Sequence, residues 1–263
     1  MTVPFQKYHG TGNDFLILDA ADTVPDRATL ARRECDRTEG VGADGILFVS
    51  LEDAYSPPRV VMTLVQPDGT TAPMCGNGAR CTAEWAMRET NSDQMMIDTQ
   101  AGSLFATRVD GEEGQIAVEM RQPTFEPEHV PVESDGPVLG EPIEGLEVTA
   151  VNTGVPHAVS FVDDVDDVQI ESAARPVRHA DVFPRGTNVT FASADGDGRF
   201  RQRTFERGVE GETDSCGTGA VAIAAGARRL GLSNADAVTI EPPGGTLNVR
   251  IDASGRVMLA GPV

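Results

Sequence analysis

Lysine is almost missing from this chain of 263 residues: of its 21 basic side chains only Lys7 is lysine, and the other 20 are arginine. One lysine beside the N-terminus, with no phosphate-binding motif attached, argues against chemistry built on a lysine Schiff base, pyridoxal phosphate above all. Positive charge is scarce in general. Asp and Glu number 41, the net charge is −20, and this argues against the nucleic-acid backbone or anionic lipid as a partner. Long hydrophobic runs are missing as well. No stretch approaches the ~18 apolar residues of a membrane span, and Met1 to Lys7 lacks the apolar run of a signal peptide, so a cytoplasmic protein is expected. Four cysteines are too few for a secreted disulfide scaffold of this length. Cys75 and Cys81 are too far apart in sequence for a close Cys-x-x-Cys pair and the histidines are dispersed, so no metal site is expected.

The acidic residues are scattered (Asp163-Asp164, Asp166-Asp167, Glu112-Glu113) rather than gathered in one tail. That pattern suits a surface kept hydrated at high salt, or an ordinary acidic cytosolic protein. The length allows one large domain or two of ordinary size. Arg121 to Glu147, rich in Pro, Glu and Gly and weak in periodicity, is the best candidate for a crossing between domains. The expected division is 1–121 and 122–263, with the last few residues packing on the first part.

Apolar runs bounded by turn residues predict strands at Phe15–Leu18, Ile46–Val49, Val60–Val65, Met95–Asp98, Leu104–Val109 and Ile116–Met120 in the first half. In the second half they predict strands at Ala158–Val162, Val189–Phe191, Phe200–Phe205, Val238–Ile240, Leu247–Ile251 and Val257–Leu259. Asp26 reads as the N-cap of a helix through Cys35. Val165 to Arg175 reads as a helix stopped by Pro176. A helix to about Glu89 follows Cys75, and one to Leu230, capped by Gly231, follows Cys216. The second is apolar almost all round and therefore expected to be central.

The two cysteine loops share a layout: Met74-Cys75-Gly76-Asn77-Gly78-Ala79 and Ser215-Cys216-Gly217-Thr218-Gly219-Ala220. Gly12 and Cys75 are 63 residues apart, Gly154 and Cys216 62; Gly42 and Gly186 fall at matching intermediate places. A duplicated α+β unit accounts for that register. At the start of a helix the first N–H groups have no intrahelical partner and point outward with the positive end of the dipole. A thiol there ionises more readily, and the same N–H groups suit a carboxylate. Two such thiols on either side of an α-carbon can remove a proton from one face and deliver one to the other. Taken singly, each cysteine is more often a small packed residue. His157, Glu206-Arg207, Asn13 and Asn188 have equally ordinary roles in turns and surface ion pairs. Cys35 and Cys81 are read as packing residues.

These motifs, together with Lys7-Tyr8-His9-Gly10-Thr11-Gly12-Asn13-Asp14-Phe15, Pro156-His157-Ala158-Val159, Thr187-Asn188-Val189, Glu206-Arg207-Gly208 and Pro243-Gly244-Gly245, resemble the diaminopimelate epimerase family over nearly the whole chain. The resemblance implies an α+β fold of two pseudo-symmetric lobes, each a curled, mostly antiparallel sheet or barrel around a central helix. It implies cofactor-independent interconversion of LL- and meso-diaminopimelate in lysine biosynthesis. Cys75 and Cys216 would be the acid/base thiols, supported by His157 and Glu206. Gly76, Asn77, Gly217 and Thr218 would bind the α-carboxylate, and Asn13, Gln66, Asn188, Glu206 and Arg207 the rest of the substrate. Gln66 stands where many members have Asn, Val155 where a common form has Asn, and Gly45 where some members place Gln. The expected partner is a small amino acid, with no nucleic acid, membrane or metal; a homodimer is left open. The alternatives are a two-thiol racemase of another amino acid, proline racemase-like, and a thiol redox or amino-acid-binding protein.

Overall fold

The computed structural model describes residues 3–21, 24 and 26–263, and it divides into two compact units. The first comprises Met1–Glu119 with Ala260–Val263, the second Met120–Leu259.

In chain order the first unit contains β1 (Gln6–Gly10), β2 (Asn13–Asp19), α1 (Arg27–Glu34), β3 (Gly45–Glu52), β4 (Arg59–Val65) and β5 (Thr71–Ala72). It continues with α2 (Gly76–Thr90), β6 (Gln94–Thr99), β7 (Gly102–Arg108) and β8 (Gln115–Met120). β1 pairs antiparallel with β2, β2 parallel with β3, and β3 antiparallel with β4. β4 pairs antiparallel with β5 and parallel with β6, and β6–β7–β8 close the series antiparallel. α2 packs on β1, β2, β3, β4, β6 and β7, which makes it the axis of the unit. As expected, Asp26 caps α1, its carboxylate accepting the Thr29 N–H at 3.0 Å. Asn91 ends α2 in the left-handed conformation (φ 51°), which its short polar side chain tolerates better than most.

The second unit contains β9 (Glu141–Ile143), β10 (Leu146–Asn152), β11 (Pro156–Phe161), a 3₁₀ turn (Val165–Asp167), α3 (Ile170–Arg178), β12 (Asn188–Ala194) and β13 (Arg199–Glu206). After these come β14 (Gly211–Thr213), α4 (Gly217–Leu230), β15 (Ala237–Glu241), β16 (Leu247–Ile251) and β17 (Val257–Pro262), whose residues from Ala260 on belong to the first unit. From β10 to β16 the pairing repeats the series of the first unit: antiparallel, parallel, antiparallel, antiparallel with the short β14, parallel with β15, antiparallel. α4 packs on β10, β11, β12, β13 and β16 and is buried from Gly219 to Ala227. Its Ala- and Gly-rich surface lets strands approach on every side, and Gly231 ends it at φ 73°.

Two expectations are corrected. The segment 121–147, expected as a crossing between domains, is folded into the second unit. Val130, Val132 and Val138 are buried in the core of the second unit with Ala150 and Phe183, and the Asn152 side chain donates to the His129 carbonyl at 2.6 Å. Its prolines suppressed periodicity without preventing burial, and each buried valine contributes ~1.5–3 kcal/mol. Pro176 does not stop a helix. It lies inside α3, because Ile170, Ala174 and Val177 form one buried stripe that carries the last turn past the single missing N–H. Among the described residues no helix is long and apolar enough to cross a membrane.

Candidate active site

Each unit builds its own polar cluster at the mouth of its axial helix. In the first, Cys75 is the N-cap of α2, with extended backbone (φ −143°, ψ 122°), and its sulfur accepts the Gly78 N–H at 3.5 Å. Thiol sulfur thus stands where Ser, Thr, Asp or Asn is usual, over N–H groups that have no intrahelical acceptor. Asn77 is buried behind it. Its amide donates to Asn13 Oδ1 at 2.7 Å, while its Oδ1 accepts from Arg80 Nη2 at 2.8 Å. Asn13 donates in turn to Asp44 Oδ2 at 3.1 Å. Arg37 bonds both Asp44 and Asp14, and Lys7 pairs with Asp14 at 2.9 Å. Burial pushes the Asp14 carboxyl up, but the hydrogen bonds from Arg37 and Lys7 prevail and hold it well below the usual carboxylate range.

In the second unit Cys216 is the N-cap of α4 and is 6% exposed. Burial, and next the charge of Glu206, push its thiol well above the ordinary range. Glu206 ends β13 and is itself raised by burial, although the Thr213 hydroxyl bonds its Oε1 at 2.6 Å. His157, on β11, is fully buried. Its Nδ1 lies 3.0 Å from Thr190 Oγ1, and its Nε2 lies 3.0 Å from Thr218 Oγ1 and 3.4 Å from Asn188 Nδ2. Burial, then the Arg207 charge, depress its pKa to about 3, so the ring is neutral. Its tautomer follows from a neighbour. The Arg207 N–H donates to Asn188 Oδ1 at 2.7 Å, which turns the Asn188 amide nitrogen toward Nε2. Nε2 is therefore the acceptor and Nδ1 carries the proton toward Thr190. Thr218 then donates to Nε2 and presents its oxygen to the Cys216 sulfur at 3.4 Å. The Arg207 guanidinium bonds the carbonyls of Arg185 and Gly186 at 3.0 and 3.3 Å.

The structure thus gathers Asn13, Cys75, Gly76 and Asn77 at the mouth of α2, and His157, Asn188, Glu206, Arg207, Cys216, Gly217 and Thr218 at the mouth of α4. Gln66 stands apart. It is exposed in the turn after β4, its Oε1 held by the Thr70 hydroxyl at 3.1 Å. Strand register explains its place: Val65 pairs with Ile46 as Phe205 pairs with Val189, so Gln66 occupies the position that Glu206 has in the second unit. By the same register Phe15 and Gly45 correspond to His157 and Asn188. Several supporting residues had no distinguishing sequence signal: Thr190 under His157, Thr213 on Glu206, and Thr11 and Asp44 around Asn13 and Asn77. Arg80 had one, as a charged residue in the Ala-, Gly- and Cys-rich start of a helix.

The diaminopimelate epimerase family model matches residues 5–126 and 149–263, which takes in both cysteine-led helices. The chain belongs to the diaminopimelate epimerase family. Its sequence is 42% identical to the diaminopimelate epimerase of Methanocella arvoryzae, over 94% of this chain and 89% of that protein. It is 41% identical to the diaminopimelate epimerase of Archaeoglobus fulgidus, over 99% and 94%. Among solved structures, a hydroxyproline epimerase from Agrobacterium vitis with bound trans-4-hydroxy-L-proline superposes with a TM-score of 0.65 at 16% identity, covering 98% of this chain and 89% of that one. A PhzF-family phenazine biosynthesis protein from Enterococcus faecalis gives 0.65 at 17%, covering 100% and 96%. At such identities the likeness is one of fold.

Proposed function

We propose that this protein interconverts LL- and meso-diaminopimelate, in the cytoplasm and as a step of lysine biosynthesis, by moving protons at one α-carbon between two thiols. One cysteine acts as thiolate. It takes the α-proton onto sulfur while the Cα–H electron pair passes into the carboxylate as an enediolate. The other, as thiol, donates its proton to the opposite face of Cα, and the two sulfurs end with their protonation exchanged. Backbone N–H groups of Gly76 and Asn77, and of Gly217 and Thr218, bind the α-carboxylate and stabilise the charge that grows on it. Asn13 and Asn188 orient the substrate, Arg207 suits its distal carboxylate, and Gln66 supplies a further amide. His157 and Glu206 tune Cys216.

The observation that carries this reading is the pair of thiols capping register-equivalent helices of a duplicated unit, in a chain of this family. A pyridoxal route is disfavoured on other grounds: the one lysine is bonded to Asp14 and to the Gly42 carbonyl. The test is deuterium incorporation at Cα of diaminopimelate in D2O, with the cysteines reduced. Exchange is expected with the unmodified chain and is expected to fall ~10³-fold in Cys75→Ala and in Cys216→Ala. No exchange with the unmodified chain, or exchange that survives either substitution, refutes the reading.

A further inference from the structure

Among the described residues the largest fully buried side chain is a guanidinium, that of Arg80. Its Nη2 donates to Thr11 Oγ1 at 2.7 Å and to Asn77 Oδ1 at 2.8 Å, and its Nε and Nη1 have no hydrogen-bond partner. No carboxylate pairs with it among the described residues. Glu84, the other buried charge on α2, is already held by Arg88 and by Arg108 at 2.6 Å, and Tyr8 on β1 lies in the field of Arg88 and Glu84. Leaving a cation buried without a counter-charge costs several kcal/mol.

Burial works against the Arg80 charge, and the ionisable groups that favour it are the thiols of Cys81 and, next, Cys75. Cys81 is fully buried, which pushes its thiol up to about 12, so it stays protonated at neutral pH. Cys75 is different. It is half-buried at the N-cap of α2, where the Gly78 N–H and the positive end of the helix both favour an anion on sulfur. In the second unit the position five residues after the capping cysteine is Val221, fully buried, and the charge beside that thiol is the Glu206 carboxylate.

We propose that Arg80 is a positioning residue of the first half-site: its buried guanidinium keeps the Cys75 sulfur as a thiolate, while its Nη2 braces Asn77 and Thr11 under the carboxylate-binding turn. The resting protein is then polarised, Cys75 charged and Cys216 neutral, before any substrate arrives. This assignment rests on the two-thiol reading, but its test needs no turnover.

The experiment is site-resolved alkylation of the unmodified chain by iodoacetamide as a function of pH, with each cysteine followed by peptide mass spectrometry. The rate midpoint for Cys75 is expected below the ordinary thiol value of ~8.5, with Cys216 unreactive through neutral pH. Arg80→Met is expected to raise the Cys75 midpoint by a unit or more, lowering its alkylation at pH 7 by ~10-fold, and Arg80→Lys to retain most of the reactivity. A Cys75 midpoint at or above ~8.5 in the unmodified chain overturns the proposal, whether or not Arg80→Met folds. An unchanged midpoint in folded Arg80→Met also overturns it. Either result leaves deuterium exchange by the unmodified chain intact, so the two readings fail separately.

Discussion

The first and second units wind one strand series around an axial helix that begins at a cysteine, yet the two cysteines stand in opposite electrical surroundings. Cys75 lies in the field of a buried guanidinium; Cys216 lies in that of a buried carboxylate and is joined through the Thr218 hydroxyl to a neutral imidazole. Register makes the contrast residue by residue. Phe15, Gly45 and Gln66 in the first unit stand where His157, Asn188 and Glu206 stand in the second. Inverting a carbon needs two groups of equal reach and unequal protonation. Duplication of the scaffold provides the first, and divergence of the residues around each sulfur provides the second.

The contrast can be broken most sharply at Glu206. Glu206→Gln makes the second unit match the first, and epimerisation is expected to fall by ~10²-fold or more. The same change is expected to stabilise the protein at neutral pH. Burial raises the folded pKa of Glu206 above its unfolded value, so the stability associated with its neutral form is present at low pH and lost as pH rises through the folded pKa. Thermal unfolding of the variant should therefore exceed that of the parent at pH 7 and converge with it below about pH 4. A variant less stable than the parent at pH 7 would refute the burial argument.

His157 gives the opposite sign. Its pKa of about 3 in the folded chain, against about 6.5 unfolded, makes it a source of stability that is complete above the unfolded value and lost as pH falls toward the folded one. Between pH 7 and 5 the loss should be ~2 kcal/mol in denaturant titrations, and His157→Gln should flatten that slope. Equal slopes would mean that the imidazole is not held neutral.

Third comes a steric comparison of the two helix starts. A Cβ at Gly219 would lie 2.6 Å from Gln202 Nε2 and 3.3 Å from Thr190 Oγ1, within the polar network under His157; at Gly78 the nearest atom, Leu47 Cδ2, is at 3.2 Å. Gly219→Ala is expected to cost ~2–3 kcal/mol and Gly78→Ala ~1 kcal/mol or less. Equal costs in equilibrium unfolding would erase the distinction. The smallest effect concerns both units alike. With a net charge of −20 spread along the chain, the unfolding temperature should rise by a few degrees from low to molar KCl as self-repulsion is screened. No rise would dismiss the reading of a salt-adapted surface.

Much of this was legible in the chain. The strands from Phe15–Leu18 to Val257–Leu259, the Asp26 cap, the Gly231 stop and both cysteine-led helices follow from local periodicity and turn chemistry, which act over a few residues. The segment 121–147 reads as a crossing because prolines interrupt periodicity without revealing what the valines between them bury against. Pro176 reads as a stop, but a buried stripe outweighs one lost hydrogen bond. Arg80 is visible in the sequence only as a charge early in a helix, since a guanidinium's partners, or lack of them, are set by residues such as Thr11, 69 positions away.

By itself, then, the sequence determined that two Cys-Gly-x-Gly-Ala turns lie in matching places of a repeated chain, each opening a helix, with one lysine and an excess of acid elsewhere. Those are properties of composition and short-range geometry. Only the tertiary structure decided the character of each sulfur's neighbourhood: which thiol has a buried cation nearby, which a buried carboxylate, and which tautomer the histidine takes. Ionisation depends on burial and on charges brought close by folding, and both are fixed by contacts between residues remote in sequence.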